Sequence, residues 1–297
     1  MSEATATFQA PEPMFYNWAN YPQTDFSYSL ASDIDKCLKY TQLTRIQGLA
    51  PILEAAAFKF GTAVEQAVSQ HYLTGVNAED EFNARWQFFA DKKLDYSDRD
   101  ADWNGLLIKG RSLMREFKER KADLPDLSKA IFQEKMTLPA WAPRANLIYI
   151  ADAWVNTPRG KLLIDMKTAA ASYPQEPDSY PDDPEKRWLA LDPQLRTGCL
   201  VSGIRRVAFM VFVKTKQPRI QWLEAVVRQE YVDEINEWLH EQYERLIAKK
   251  FFRRAGWRFP SNHCGMCDVS SACLGNTALA STLLKQRESK GFSDIFE

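Results

Sequence analysis

The feature that most constrains this chain is a pair of apolar runs joined by a turn. NLIYIADAWV (146–155) and KLLIDMKT (161–168) flank NTPRG (156–160). Apolar runs of this length, rich in β-branched residues and bounded by Pro and Gly, read as two strands of a hairpin. A hairpin centred on Pro158 and Arg159 sets Asp152 opposite Asp165, with Cβ atoms roughly 5 Å apart. Alternate strand residues share a face, so Lys167 points the same way as Asp165. Two carboxylates facing each other in a buried sheet repel, and a compensating charge is required. Lys167 supplies one positive charge. A divalent cation held by both acids supplies two more, and Mg²⁺ takes oxygen ligands while leaving places for water and phosphate. The alternative is one carboxylate kept protonated beside a salt bridge.

The flanking sequence places this hairpin in a larger α/β chain. Residues 52–74, 79–94 and 103–122 carry helical apolar spacing, with Gly61 as an interruption and Gly75 as the stop. Residues 132–138 read as a strand. A long Pro- and Asp-rich loop, 169–191, leads to Asp192-Pro193, an N-cap and first-turn pair opening a helix with Gln194 and Cys199. VAFMVFVKT and IQWLEAVV form a second strand pair, and a long helix covers 229–252. Residues 29–41 and 276–287 are expected to be short helices, and the Pro-rich residues 1–27 an irregular arm. Helices, a strand cluster, then a helix and two more strands imply a mixed sheet with helices on both sides.

A third acid, Glu65, follows Gly61 by one helical turn, and the glycine would let that turn approach a strand closely. Glu134 is a weaker fourth. The cysteines form the second constellation. Cys264-x2-Cys267-x5-Cys273 puts three thiols in ten residues, with Cys37 far upstream and Cys199 inside an apolar helix. Four thiolates suit a structural zinc or an iron–sulfur cluster. Spacing alone does not decide between them; its departure from the paired C-x2-C…C-x2-C of a zinc ribbon slightly favours the cluster, with zinc as the runner-up. His263 is a bystander or helper.

The net charge of −1 neither advertises nor excludes nucleic acid, since a local basic groove suffices. Lys92-Lys93, Arg205-Arg206, Lys249-Lys250 and Arg253-Arg254-Arg258 are candidates, and Tyr173, Tyr180 and Trp188 are candidate base-stacking platforms. No apolar run is long enough to span a membrane, and the N-terminus lacks signal-peptide features. The chain is therefore expected in the cytoplasm.

Taken in order, Cys37, Gly61-x3-Glu65, Asp152, Asp165-x-Lys167-Thr168, Gln194 and the C-x2-C-x5-C run resemble the RecB-like branch of the PD-(D/E)XK nucleases. The likeness is to its iron–sulfur members, such as the CRISPR-associated single-domain exonucleases and the AddB nuclease domain. It spans about 28–275, with a helical insert at 76–130, the cysteine motif at 264–273, and a C-terminal tail at 276–297. The tail's GFSDIFE could dock a partner or fray.

The resemblance implies a PD-(D/E)XK core, α/β with a central mixed sheet. It implies a 4Fe-4S cluster on Cys37, Cys264, Cys267 and Cys273 that clasps the two ends. It further implies Mg²⁺- or Mn²⁺-dependent hydrolysis of DNA, as an exonuclease on single strands or free ends. Glu65, Asp152 and Asp165 would then be metal ligands, Lys167 the catalytic lysine and Gln194 a positioning residue. Many relatives have histidine where Glu65 stands, and a tyrosine where Gly198 stands. Repair, recombination, phage and CRISPR complexes are all compatible settings, in a prokaryotic cell or phage-infected host. Two other readings are a non-catalytic or complex-dependent DNA-binding subunit of the nuclease fold, and a metal-clasped scaffold.

Overall fold

The computed structural model describes residues 24–96, 102–173, 184, 187–252, 264 and 266–287. The elements run β1 (Thr24–Ser27), α1 (Tyr28–Lys36), α2 (Leu38–Thr41), β2 (Leu49–Pro51), β3 (Glu54–Ala55), α3 (Ala56–Thr74), α4 (Ala78–Gln87), β4 (Leu94–Asp95), α5 (Trp103–Arg120), β5 (Ile131–Ala142), β6 (Ala145–Thr157), β7 (Gly160–Ala169), α6 (Pro193–Ser202), β8 (Arg206–Val213), β9 (Arg219–Val226), α7 (Gln229–Ile247), α8 (Ser270–Cys273), α9 (Thr277–Leu283) and β10 (Leu284–Gln286). Two compact units form. The larger holds 54–138 and 148–236, and the other holds 1–53, 139–147 and 237–297.

The larger unit is built on the strand order β6-β7-β8-β9, with β5 also pairing β6. The β6–β7 and β8–β9 pairs are antiparallel and β7–β8 is parallel, so the sheet is mixed. Its central strands are apolar on both faces because both faces are covered. On one face Leu162, Ile164, Met166, Met210 and Phe212 pack against Phe60, Val64 and Val68 of α3, Phe82 and Trp86 of α4, and Leu113 and Phe117 of α5. On the other, Leu163, Phe209 and Val211 pack against Leu195 and Cys199 of α6. Cys199 is a buried small residue, as its apolar helix implies.

The hairpin register is the one its turn dictates, from Thr157 against Gly160 up to Ala153 against Ile164. Beyond that point β6 departs from regular alternation. Ala153 and Val155 face the α3 side, whereas Tyr149 and Ala151 face the α6 side. Four positions of strict alternation would keep them together, so the parity change marks a β-bulge at Asp152. Asp152 therefore does not simply oppose Asp165. Its carboxylate accepts the N–H of Met166 at 2.7 Å, taking the place of a ladder bond.

Several boundaries differ from expectation. α3 starts at Ala56 and runs through Gly61 unbroken, ending at Gly75 in the left-handed conformation (φ 76°). α4 stops at Gln87, and the chain then forms β4. α7 ends at Ile247. Residues 276–287 are a short helix followed by a strand, because Leu284–Gln286 pair with β2. Residues 24–27 are a strand whose Phe26 is buried and stacked on Trp141, with centroids 5.3 Å apart. The remainder of the expected arm, and the GFSDIFE tail, lie outside the described residues.

In the smaller unit, β2 and β10 pair antiparallel. A small core of Leu43, Leu49, Val269, Ala280 and Leu284 is flanked by Tyr40, Cys267 and Cys273.

Candidate active site

β7 carries the centre of the site. Asp165 is 1% exposed and lies beside Phe209 of β8 in the parallel register. Its Oδ2 is 2.7 Å from the Lys167 ammonium. Gln194 closes a triangle: its Oε1 accepts from Lys167 Nζ at 2.9 Å and its Nε2 donates to Asp165 Oδ1 at 2.8 Å. The α6 start aims that glutamine. Asp192 caps the helix, accepting Leu195 N–H at 2.9 Å, and Pro193 opens the first turn. The Phe209 ring lies 5.6 Å from Nζ and contributes a cation–π contact.

α3 brings Glu65 from the other side of the sheet. Gly61 makes this possible, since a Cβ there would stand 3.1 Å from Thr168 Oγ1. A cavity of about 270 Å³ opens beside Gly61, Glu65, Lys167 and Thr168. Gln133 on β5 donates its amide to Glu65 Oε1 and also bonds the Asp152 carboxylate. Its backbone is left-handed (φ 52°), a cost of order 1–3 kcal/mol for a non-glycine residue. The strain turns Gln133 toward the acids. Glu134, the fourth acid considered, instead accepts a hydrogen bond from Trp154 Nε1.

The charges explain one another. Burial pushes Glu65 up to about 7, and the Asp165 charge adds to this against Lys167 and Gln133. Burial and Glu65 push Asp152 up to about 7, against Met166 N–H and Lys167. Burial and Asp152 do the same to Asp165, again to about 7, against Lys167. Three acids so placed share protons at neutral pH. For Lys167, burial pulls the ammonium down, but Asp165 and Asp152 outweigh it and raise the group. The acids thus favour its ammonium form. Burial also raises Asp192, which Lys167 partly offsets.

The donor chemistry fits a hard divalent cation, which would replace the shared protons with two charges bound through oxygen. The acids are currently engaged by protein partners. With these partners in place, no group of three or more His, Cys, Asp or Glu side chains among the described residues is placed to hold a metal ion, so the acids would have to exchange those partners for the ion. Among the described residues the thiols form no such group either. Cys37 lies between α1 and α2, its Sγ accepting Tyr40 N–H at 3.5 Å. Burial raises the Cys267 thiol, and Asp268, Cys273 and Cys37 reinforce the shift. Cys37, Cys267 and Cys273 are therefore electrostatic neighbours. Cys264 is half-buried, and no disulfide joins any of these thiols. His263 lies outside the described residues.

Three residues of the site escaped the sequence reading: Gln133, Asp192 as a charge, and Tyr149. The Tyr149 ring fills the space over Gly198, where a Cβ would stand 2.8 Å from its Cζ and 2.6 Å from Leu163 Cδ2. Its hydroxyl is buried without a hydrogen-bond partner among the described residues. Burial, with the charges of Asp165 and Asp152, holds the phenol well above its ordinary pKa. A tyrosine at 198 would collide with this ring. Only the Asp192 cap had a sequence signal, Asp-Pro, and it pointed to a helix start rather than to the site.

No curated protein matches the chain in sequence. Among solved structures, it superposes on a candidate exonuclease from Eubacterium rectale with a TM-score of 0.53 at 13% identity, covering 89% of this chain and 93% of that one. LHK-Exo in complex with dAMP gives a TM-score of 0.30 at 11% identity, covering 65% and 93%. The E. rectale likeness supports the fold alone. The sequence model of the PD-(D/E)XK nuclease superfamily matches residues 25–274, which takes in β6, β7, α6 and every acid of the site, and the chain belongs to that superfamily of hydrolytic nucleases.

Proposed function

We propose that the chain is a Mg²⁺- or Mn²⁺-dependent deoxyribonuclease acting as an exonuclease on single-stranded DNA or on free ends. The observation that carries this is the closed triangle of Asp165, Lys167 and Gln194 facing two further acids, Glu65 and Asp152. Those three acids would hold the ion, which would supply charge stabilisation and a more acidic bound water.

The chain's own residues do the rest. Hydrolysis forms a bond from a water oxygen to phosphorus and breaks the bond from phosphorus to the leaving sugar oxygen, which gains a proton. The Lys167 ammonium, kept protonated by its acids, faces the charge that grows on the phosphoryl oxygens. Gln194 fixes the rotamers of Lys167 and Asp165 together, and Gln133 orients Glu65 and Asp152. For a single strand, Trp188 is a suitable platform. It is 36% exposed and stacks on Tyr173 with centroids 5.8 Å apart at 9°, and Tyr173 leans on Phe209 beneath Lys167. Tyr180 lies outside the described residues.

Cys37, Cys264, Cys267 and Cys273 are assigned here to a 4Fe-4S cluster, with zinc as the competing occupant, within a nuclease domain at 28–275. The engagement of every acid by a protein partner favours one further reading, in which a partner protein in a repair, recombination or CRISPR complex opens the site.

The test is cleavage of labelled single- and double-stranded DNA with Mn²⁺ or Mg²⁺. Wild type should cleave, single strands and ends fastest. Lys167→Ala should lose on the order of 10²–10³ in kcat. Absence of cleavage by wild type with either metal would remove the enzyme reading. Anaerobically purified protein should be brown, with its visible absorbance lost in Cys267→Ser. Colourless protein carrying zinc would replace the cluster with the competing metal.

A further inference from the structure

Phe58 leaves most of a phenyl ring in water, at 72% exposure, and it stands at the rim of the cavity of the acids. It lines that cavity together with Gly61, Thr62, Glu65, Lys167 and Thr168. The helical repeat puts it there. α3 buries one stripe, Ala56, Phe60, Ala63, Val64 and Ala67, and positions 58, 61, 62 and 65 fall together on the opposite face. Phe58 precedes Glu65 by seven residues, about 10 Å along the helix axis. A lone exposed apolar residue is ordinary, but this one shares the face that carries a site acid. Phe88 gives the contrast. It is 66% exposed, and Lys92 Nζ lies 3.5 Å over its ring. At Phe58 the neighbouring ammonium, Lys59, lies 6.0 Å from the centroid and 3.2 Å from Glu54, at the limit of the cation–π range. The cavity holds about 270 Å³, below the range of about 300–1,000 Å³ usual for pockets that enclose a small molecule. It takes a phosphoryl group with ion and water rather than a whole nucleotide, and the attached base has to lie at the rim.

We infer that Phe58 stacks on the base of the nucleotide whose phosphate enters the acid cavity. The inference deepens the nuclease reading and rests on it for the identity of the cavity's occupant. The base must leave its neighbour's stack to meet the ring, which costs least in a single strand or at an end. Every base has a π face, so the contact favours unpaired strands without choosing a sequence. Tyr173, on which Trp188 stacks, packs on the α6 face of the sheet, so the two platforms serve different nucleotides.

The experiment measures binding of fluorescent single-stranded oligonucleotides by anisotropy, with Ca²⁺ in place of Mn²⁺. A single abasic nucleotide is walked inward from either end of the strand. Wild type is compared with Phe58→Ala, Phe58→Trp, and Phe88→Ala as a control for the loss of an exposed ring elsewhere. Phe58→Ala should weaken binding of the intact strand about tenfold. Phe58→Trp should bind at least as tightly as wild type, and Phe88→Ala should match it. At one abasic position wild type should lose about the same tenfold and Phe58→Ala nothing further, the coupling of a double-mutant cycle. In cleavage with Mn²⁺, Phe58→Ala should raise KM more than it lowers kcat.

Unchanged affinity in Phe58→Ala beside a wild type that cleaves would overturn the inference and leave the nuclease reading standing. Additive losses at every abasic position would overturn it as well, since ring and base would then act independently. An equal loss in Phe58→Trp would overturn it as a structural effect, and so would a wild type that binds no oligonucleotide. Coupled losses in a wild type that cleaves with neither metal would support the stacking contact and remove only the nuclease reading.

Discussion

The two constellations of this chain are built on opposite principles. The acids stand on central strands and on the long helix α3, inside two extensive cores, and each already has a protein partner: Lys167, Gln194, Gln133 or the Met166 N–H. Cys267 and Cys273 pack against a small apolar cluster of Leu43, Leu49, Val269, Ala280 and Leu284, and Cys37 stands between the short helices α1 and α2. The first site is organised by the fold. Among the described residues the apolar cluster beside the second is small, and a metal bound there as proposed would contribute to stability. The distinction is between a group set among extensive cores and one beside a small apolar cluster.

The sharpest way to break this contrast is to remove one thiol. With a cluster bound as proposed, Cys267→Ser should destabilise the smaller unit by several kcal/mol, since metal binding to a site absent from the unfolded chain is folding free energy. Hydrogen exchange should localise the loss to residues around β2, α8, α9 and β10, with β7 and β8 protected. Equal loss of protection across β7 and β8 would show that the acids also depend on the thiols. Removing the divalent ion with a chelator should leave the larger unit folded.

Next in size is a packing test of the acid site. Gly198→Ala adds one methyl against Leu163 and Tyr149 at 2.6–2.8 Å, which should cost about 1–3 kcal/mol by overpacking. Gly61→Ala meets only Thr168 Oγ1 at 3.1 Å and should cost less, while shifting α3 and lowering kcat through Glu65. A denaturation midpoint for each variant checks the order. A Gly198→Ala variant as stable as wild type would mean that β6 yields there.

Acid should separate the regions in sign. Glu65, Asp152 and Asp165 rise to about 7 in the metal-free fold, against an ordinary value near 4. Between those values the folded chain holds protons that the unfolded chain has released. Their contribution is therefore fully present below about pH 4 and is lost as pH rises through about 7. The groups facing them are Lys167 from the same strand, Asp192 and Gln194 from the α6 start, Tyr149 from β6 and Gln133 from β5. Burial raises Asp192 as well, which acts in the same sense, while Lys167 stays charged throughout. Metal-free protein should thus become more stable from pH 7.5 to 5.5, by about 1.4 kcal/mol per pH unit for each net proton. Saturating Mg²⁺ should abolish the slope. Metal held by thiolates weakens on acidification, so visible absorbance of a cluster bound as proposed should fall over the same range. Parallel trends in both regions would contradict the division.

Much of this was legible from residues alone, and what was missed has physical reasons. The hairpin, the Asp165–Lys167 face, the close approach at Gly61 and the capped start at Asp192 follow from periodicity and turn chemistry, which act locally. The bulge at Asp152 was not legible, because a change of strand parity depends on what packs on each face. Gln133 was hidden for a related reason: FQEKMTL carries no glycine or asparagine to announce a left-handed backbone, and the adjacent Glu134 looked the better ligand. Tyr149 is an apolar-run aromatic by sequence, and its place beside the acids comes from a glycine 49 positions away. Its function as a filler of the space over Gly198 belongs to tertiary packing alone.

Tyr149 also gives the smallest and most discriminating prediction. Its hydroxyl is buried without a partner among the described residues, and an unmade hydrogen bond costs the desolvation of the group. Nothing in the packed ring requires the oxygen, since Gly198 meets ring carbons. Tyr149→Phe should therefore leave stability unchanged or raise it by up to about 1 kcal/mol. The fold tolerates this cost next to Asp165 and Asp152, whose charges help hold the phenol protonated. Retained instability at a site of chemistry is the usual mark of a group kept for activity. Activity should then fall, in kcat rather than KM, while the melting temperature holds or rises. A loss of both together would make Tyr149 a packing residue. A gain in stability with full activity would make the hydroxyl dispensable, and Gly198 would then be explained by the volume of the ring alone.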